Sequence, residues 1–298
     1  MSRYQKWLSR HTESLCGKTV ALTGSTGGLG NALSRYLVRL GASLILLDRN
    51  AEKSAAWRRQ LIAEFPNSKI KCIHVDLEDM ASVREAVARL KKEPLDLFIH
   101  NAGAYSIPRH KCDTGFDNVF QINFVSPYYM IRELLPLLRE RKGRAVAVSS
   151  IAHNYSKADP KDVDFSTRKQ ASLVYGNAKR YLTYALSELF SKETEASLSI
   201  THPGISLTGI TAHYPKVIFA LIKHPMKVIF MRPQKAALSI LWGVFEGTGD
   251  NEWIGPRLFD VWGLPKKKPL TTASREERKQ IASVAESIYA DLSDENTP

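Results

Sequence analysis

The chain has 298 residues, 44% of them hydrophobic and 24% charged, and 42 Lys and Arg against 30 Asp and Glu give a net charge of +12. That composition fits a globular protein and excludes a disordered, collagen-like or coiled-coil chain. The positive excess is compatible with nucleic acid, an anionic membrane or a phosphate-bearing ligand, and selects none of them. Cys16, Cys72 and Cys112 are too few and too scattered for a disulfide framework or a CxxC zinc site, so reduced thiols and no metal are expected. No run of about 18 apolar residues suggests a spanning helix. Arg3, Lys6, Arg10, His11 and Glu13 interrupt the N-terminal stretch where a signal peptide needs an apolar core. A cytoplasmic protein is expected. Lys266-Lys267-Lys268 is a short charge run of the kind that usually marks a solvated loop.

Short apolar or β-branched runs alternate with helical periodicity along the chain. Tyr4, Trp7, Leu8 and Leu15 predict a short amphipathic helix in an N-terminal extension over 1–17, packed on the body or on a partner subunit. Thr19–Thr23 reads as a strand and 31–40 as a helix with Leu33, Tyr36, Leu37 and Leu40 on one face. Further strands are predicted at 44–47, 70–75, 95–100, 145–149 and 198–202, with helices at 51–65, 82–90, 116–140, 173–190 and 275–290. Pro127 or Pro136 is expected to bend the helix at 116–140. Such alternation predicts an α/β fold, a single Rossmann-type doubly wound parallel sheet of about seven strands with helices on both faces. The domain is expected over 18–262, with a substrate lid at about 207–232 and a C-terminal extension over 263–298 holding one helix. Ligands of such sheets bind beyond the carboxyl ends of the strands.

After the first strand comes Thr23-Gly24-Ser25-Thr26-Gly27-Gly28-Leu29-Gly30, opening a helix. Glycines there allow a tight turn and close approach to a pyrophosphate, and the helix N-terminus adds free N–H groups. A glycine cluster alone is weak, because loops collect glycine for steric reasons. Here a strand precedes it, a helix follows, and Asp48 ends the second strand. A carboxylate at Asp48 can accept from adenosine ribose hydroxyls and repel a 2′-phosphate, which favours NAD over NADP. Arg49 is the counter-argument, since its guanidinium can pair with that phosphate. Asp76, with Leu77 beyond it, reads either as a contact to adenine or as a helix N-cap.

At this point the chain resembles the short-chain dehydrogenase/reductase family. Thr23, Gly24, Gly28 and Gly30 match its TGxxxGxG, and His100-Asn101-Ala102-Gly103 resembles its NNAG with His in the first place. Asn123, Ser149-Ser150, Tyr175 with Lys179, and His202-Pro203-Gly204 with Thr208 follow in the family's order. The carry-over implies cofactor contacts from Gly24, Ser25, Thr26, Gly28, Leu29, Gly30, Asp48, Arg49, Asp76, Leu77, Asn101, Ala102, Gly103, Tyr175, Lys179, Pro203, Gly204 and Thr208. Gly24, Gly27 and Gly30 also fit the TGxxGxxG of the sugar-nucleotide branch, whereas HNAG and Asn123 favour the smaller branch.

Hydride transfer to a carbonyl needs a proton donor beside the forming alkoxide. Tyrosine titrates near ~10, too high for a good base at neutral pH, and a neighbouring ammonium lowers it. Tyr175 and Lys179 lie one helical turn apart on a shared face. Ser150 is expected to hydrogen-bond the substrate oxygen. The resemblance implies that Asn123 holds a water relaying protons to Lys179.

Ser150 and Tyr175 are 25 residues apart, a long insertion that resembles retinol-dehydrogenase-like members. The apolar run with Ile218, Phe219, Leu221, Ile222, Met226, Val228, Ile229, Phe230 and Met231 reads as a lid over a lipophilic substrate. Lys216, Lys223, Lys227, Arg232 and Lys235 beside it suggest peripheral contact with a membrane. A helix packed on the sheet with solvated lysines is the competing reading. The expected activity is NAD(P)-dependent interconversion of a lipophilic alcohol and carbonyl. Alternatives are a sugar-nucleotide epimerase or dehydratase with bound NAD, and a non-catalytic NAD(P) sensor. No nucleic-acid motif accompanies the charge. The resemblance implies a homodimer or homotetramer built through the Asn123- and Tyr175-bearing helices.

Overall fold

The computed structural model describes residues 2–204, 231–249 and 251–294. Strands β1 (Thr19–Thr23), β2 (Ser43–Asp48), β3 (Ile70–His74), β4 (Leu97–His100), β5 (Arg144–Val148), β6 (Ser197–Thr201), β7 (Glu252–Leu258) and β8 (Trp262–Pro269) form one sheet in the order 3-2-1-4-5-6-7-8. All neighbours pair in parallel except β7 and β8, which form an antiparallel edge. The eighth strand falls in the stretch read as a C-terminal extension. Its sequence carries two prolines and three lysines, residues that suit an edge and disguise a strand.

The inner strands are buried on both sides, which is why they read as unbroken apolar runs. Val20, Leu22, Leu44, Leu46, Ile99 and Val146 face one helical layer. Ala21, Ile45, Leu47, Phe98, Ala145 and Ala147 face the other. The first layer holds α1 (Arg3–His11), α2 (Gly28–Arg39), α3 (Ala51–Glu64) and α8 (Pro233–Phe245). Here the N-terminal helix packs on the body: Trp7 meets Trp242 edge-on at 6.1 Å, and His11 stacks on Trp7 at 4.6 Å.

The second layer holds α4 (Met80–Leu90), the short α5 (Asn118–Phe120), α6 (Ser126–Glu140), α7 (Ala171–Phe190) and α9 (Arg275–Asp294). The helix expected over 116–140 is not continuous. A π-helical turn, Gln121–Val125, separates α5 from α6 and has Asn123 at its centre. Pro136 lies inside α6, where it has no N–H to give the helix. Pro127 occupies the first turn of α6, where its missing N–H costs little.

Helix α9 lies across α6 and α7. Ile281, Ala285, Ile288 and Leu292 enter the same core, and Glu286 accepts from Tyr128 Oη (2.5 Å) and Arg132 Nη2 (2.8 Å). The face through which assembly was expected is thus occupied within the chain. Residues 207–230 of the expected lid lie outside the described residues. Met231, at its end, is buried.

Candidate active site

Loops leaving β1, β2, β3, β4, β5 and β6 at the carboxyl edge surround a cavity of about 510 Å³. Every residue proposed from sequence lines it except three. Ser25 and Asn123 stand behind the wall, and Thr208 lies outside the described residues.

At one end is the glycine loop. Gly24 has φ +68°, and a Cβ there would meet the Ala102 Cα at 2.9 Å. A Cβ on Gly30 would meet the Gly24 carbonyl oxygen at 2.1 Å. These two positions accept only glycine for the loop to fold this tightly. The β1 and β4 ends are stitched together: Thr23 Oγ1 accepts from the Asn101 and Ala102 N–H groups at 3.0 Å, and Asn101 Nδ2 donates to the Thr23 and Gly24 carbonyls. Gly27 precedes α2 and has no side chain to cap its first-turn N–H groups. Those groups suit a pyrophosphate.

Asp48 has a different part from the one expected. Its carboxylate is buried and accepts from Ser25 Oγ (2.5 Å), Thr26 N (3.1 Å), Thr26 Oγ1 (3.2 Å) and Ser54 Oγ (2.8 Å). Both oxygens accept from protein donors, so this carboxylate braces the loop. Sequence reasoning could not see this, because the hydroxyl of Ser54 arrives from α3. Arg49 is 68% exposed and pairs with Glu78 at 3.2 Å. Asn50 and Lys53, which sequence reasoning passed over, line the same end. Their signal was the N-cap: Asn50 Oδ1 accepts from Lys53 N, fixing the start of α3. The cap of α4 is Asp79, and Asp76 Oδ1 instead accepts from Glu78 N at 3.0 Å.

His100, in place of the family's asparagine, is fully buried with Nδ1 3.2 Å from Thr23 Oγ1. Burial, and then the nearby Lys179 charge, holds it well below the usual imidazole range, so it is neutral. One mixed cluster of metal-ligand types, Glu78, His110 and Cys112, occurs among the described residues. Asn118 Nδ2 donates to Pro108 O and lies 3.1 Å from His110 Nδ1, and His110 Nε2 lies 3.1 Å from Glu78 Oε2.

At the other end, Tyr175 and Lys179 project from α7. Ser150 hydrogen-bonds the Tyr175 phenol, and Lys179 Nζ lies 5.7 Å from the ring centroid. Lys179 is buried and donates to the Val148 carbonyl at 2.9 Å. Burial brings its ammonium down to about 7. Burial also pushes the Tyr175 phenol up to about 12, against the Ser150 hydrogen bond. Desolvation thus outweighs the lowering by the Ser150 hydrogen bond. Asn123 donates through Nδ2 to Ala104 O and Val119 O, each at 2.8 Å, while its buried Oδ1 keeps no protein partner. A Cβ on Gly103 would stand 2.8 Å from that oxygen and 3.5 Å from Lys179 Nζ. Glycine there lets the backbone pass between them. Tyr105, unnoticed in the sequence, packs edge-on against Tyr175 at 5.3 Å.

The family model for short chain dehydrogenase matches residues 18–171. The chain belongs to that family. An uncharacterized oxidoreductase of Schizosaccharomyces pombe is 30% identical over 256 residues, 80% of this chain and 75% of the relative. Retinol dehydrogenase 13 of Homo sapiens is 28% identical over 272 residues, 88% of this chain and 81% of the relative. A crystal structure of an uncharacterized protein from Mycobacterium paratuberculosis superposes with a TM-score of 0.71 at 24% identity, covering 95% of this chain and 96% of that one. A Pseudomonas aeruginosa RhlG/NADP active-site complex gives 0.59 at 25% identity, covering 79% and 91%. This short-chain dehydrogenase is an NAD(P)-dependent oxidoreductase of retinol-dehydrogenase-like sequence. Among its described residues no helix is long and apolar enough to cross a membrane.

If Asp48 braces the loop, Asp48→Ala weakens NAD and NADP binding alike, on the order of tenfold in Kd. Quenching of tryptophan fluorescence measures both. Loss confined to NAD, with NADP binding improved, contradicts the bracing role.

Proposed function

We propose that this enzyme interconverts a lipophilic alcohol and its carbonyl compound. The observation that carries the proposal is the convergence of Ser150, Tyr175 and a buried Lys179 on one cavity with the glycine loop. The bound nicotinamide dinucleotide supplies or accepts the hydride. Gly24, Gly28, Leu29 and Gly30 hold its pyrophosphate through backbone groups. Asn101, Ala102, Gly103, Pro203 and Gly204 shape the remaining wall. Ser150 Oγ donates to the substrate oxygen, and Tyr175 gives it a proton in reduction and removes one in oxidation. Lys179 favours the ionised phenol, and the unpartnered Asn123 Oδ1 marks where a relay water is held.

At the substrate end Ala104, Tyr105, Ile107 and Ile122 line the cavity, a surface suited to an apolar substrate. The lid reading of 207–232 and its basic face toward a membrane rest on sequence. At the adenosine end, NADP is the better match. The Asp48 carboxylate is screened by four protein donors, while Arg49 and Lys53 offer positive charge to a 2′-phosphate. Any homodimer or homotetramer uses a surface other than the one α9 covers.

The test follows nicotinamide absorbance with NAD and NADP against aliphatic aldehydes, retinoids, steroids and nucleotide sugars. Turnover of apolar carbonyls with NADPH preferred is expected. Activity only on nucleotide sugars, or a preference for NAD, contradicts the corresponding part. The pH dependence has a definite sign. Lys179 loses its charge as pH rises through about 7, and Tyr175 ionises only toward about 12. From about pH 6 to about pH 9, kcat/KM for reduction therefore falls and that for oxidation rises. Parallel or flat profiles contradict this.

A further inference from the structure

Arg180 follows Lys179 on α7 and is 1% exposed. All five of its N–H groups find acceptors. Nε and Nη2 clasp the two carboxylate oxygens of Glu277 at 2.7 Å each. Nη1 donates to the His153 carbonyl at 2.8 Å and to Thr272 Oγ1 at 3.4 Å, and Nη2 also donates to the Thr272 carbonyl at 2.7 Å. His153 in turn directs its N–H (3.1 Å) and its Nδ1 (2.7 Å) to the Ser150 carbonyl. A continuous chain of hydrogen bonds thus runs from Glu277 on α9 to the backbone of Ser150.

The same 3-10 turn, Ile151–Asn154, rests on α7 one helical turn earlier. A Cβ on Gly176 would meet the Ala152 carbonyl oxygen at 2.5 Å, so glycine is what allows that seating. Gly176 and Arg180 are four residues apart and share a helix face. Glu277 Oε1 also accepts from Ala158 N at 2.9 Å, which fixes the start of the long insertion before Tyr175. A buried ion pair is a poor way to gain stability, since apolar replacements of similar volume often do as well or better. Its directional bonds are what an apolar pair cannot supply.

We propose that Arg180 and Glu277 are a positioning pair: they clamp the turn bearing Ser150 onto the helix bearing Tyr175 and Lys179, and so make α9 part of the active centre. This rests on the catalytic reading of Ser150 and Tyr175 above.

The test is the full-length double variant R180M/E277M, in which neither charge is stranded. Its melting temperature is expected to match or exceed that of the unaltered protein. Hydrogen exchange of the 151–158 amides is expected to speed up by about tenfold or more, with β5 unaffected. With NADPH and decanal or all-trans-retinal, kcat is expected to fall by about tenfold or more with KM and NADPH Kd nearly unchanged. Unaltered exchange overturns the proposal, whatever kcat does. Faster exchange with unaltered kcat also overturns it and reduces the pair to an anchor for α9. Glu277→Gln, which keeps a neutral acceptor, carries the same readouts if the double variant does not fold. Neither probe bears on the exchange measurement, so failure of the catalytic reading is separable from failure of the clamp.

Discussion

The candidate active centre depends on one ammonium group held out of water. Lys179 Nζ is buried at the carboxyl edge of the sheet, with the Val148 carbonyl as its protein acceptor. A buried cation is costly, and the surrounding structure supports it. Strand β5 stops where its last carbonyl can receive the ammonium. Gly103 lacks the side chain that would block the space between Lys179 and Asn123. The π-helical turn aims Asn123 at the same point. Burial brings the Lys179 ammonium down, and the burial of Tyr175 itself pushes its phenol up.

The order of strands and helices was legible because both core faces of the sheet are apolar and the helices repeat their apolar residues at helical spacing. The glycine loop, HNAG, Ser150 and Pro203-Gly204 were legible because each sits where a parallel strand ends, and Tyr175 with Lys179 because their four-residue spacing puts them on one face of α7. What escaped was tertiary in origin. Nothing local to Asp48 announces that Ser25, Thr26 and Ser54 will consume its oxygens. Nothing in FQINF announces a π-helical turn. Strand β8 was hidden by prolines and lysines that an edge tolerates. Helix α9 was legible as a closing helix with Ile281, Val284 and Ile288 on one face, and Ile281 and Ile288 do enter the core beside α7.

The positive charge also takes on a different meaning. Many described cations are paired: Lys18 and Arg141 with Asp96, Arg35 with Glu64, Arg139 with Glu193. The glycine loop meets a pyrophosphate through backbone N–H groups, so the charge of +12 is not required there. Arg49, paired with Glu78, and Lys53 line the cavity beside Asp48.

The most direct test of the central claim is Tyr175→Phe, which keeps the ring against Tyr105 and removes only the hydroxyl. Turnover of an apolar carbonyl with NADPH is expected to fall by about a thousandfold or more, with NADPH binding retained. Near-normal turnover in that variant would contradict the assignment of proton transfer to Tyr175.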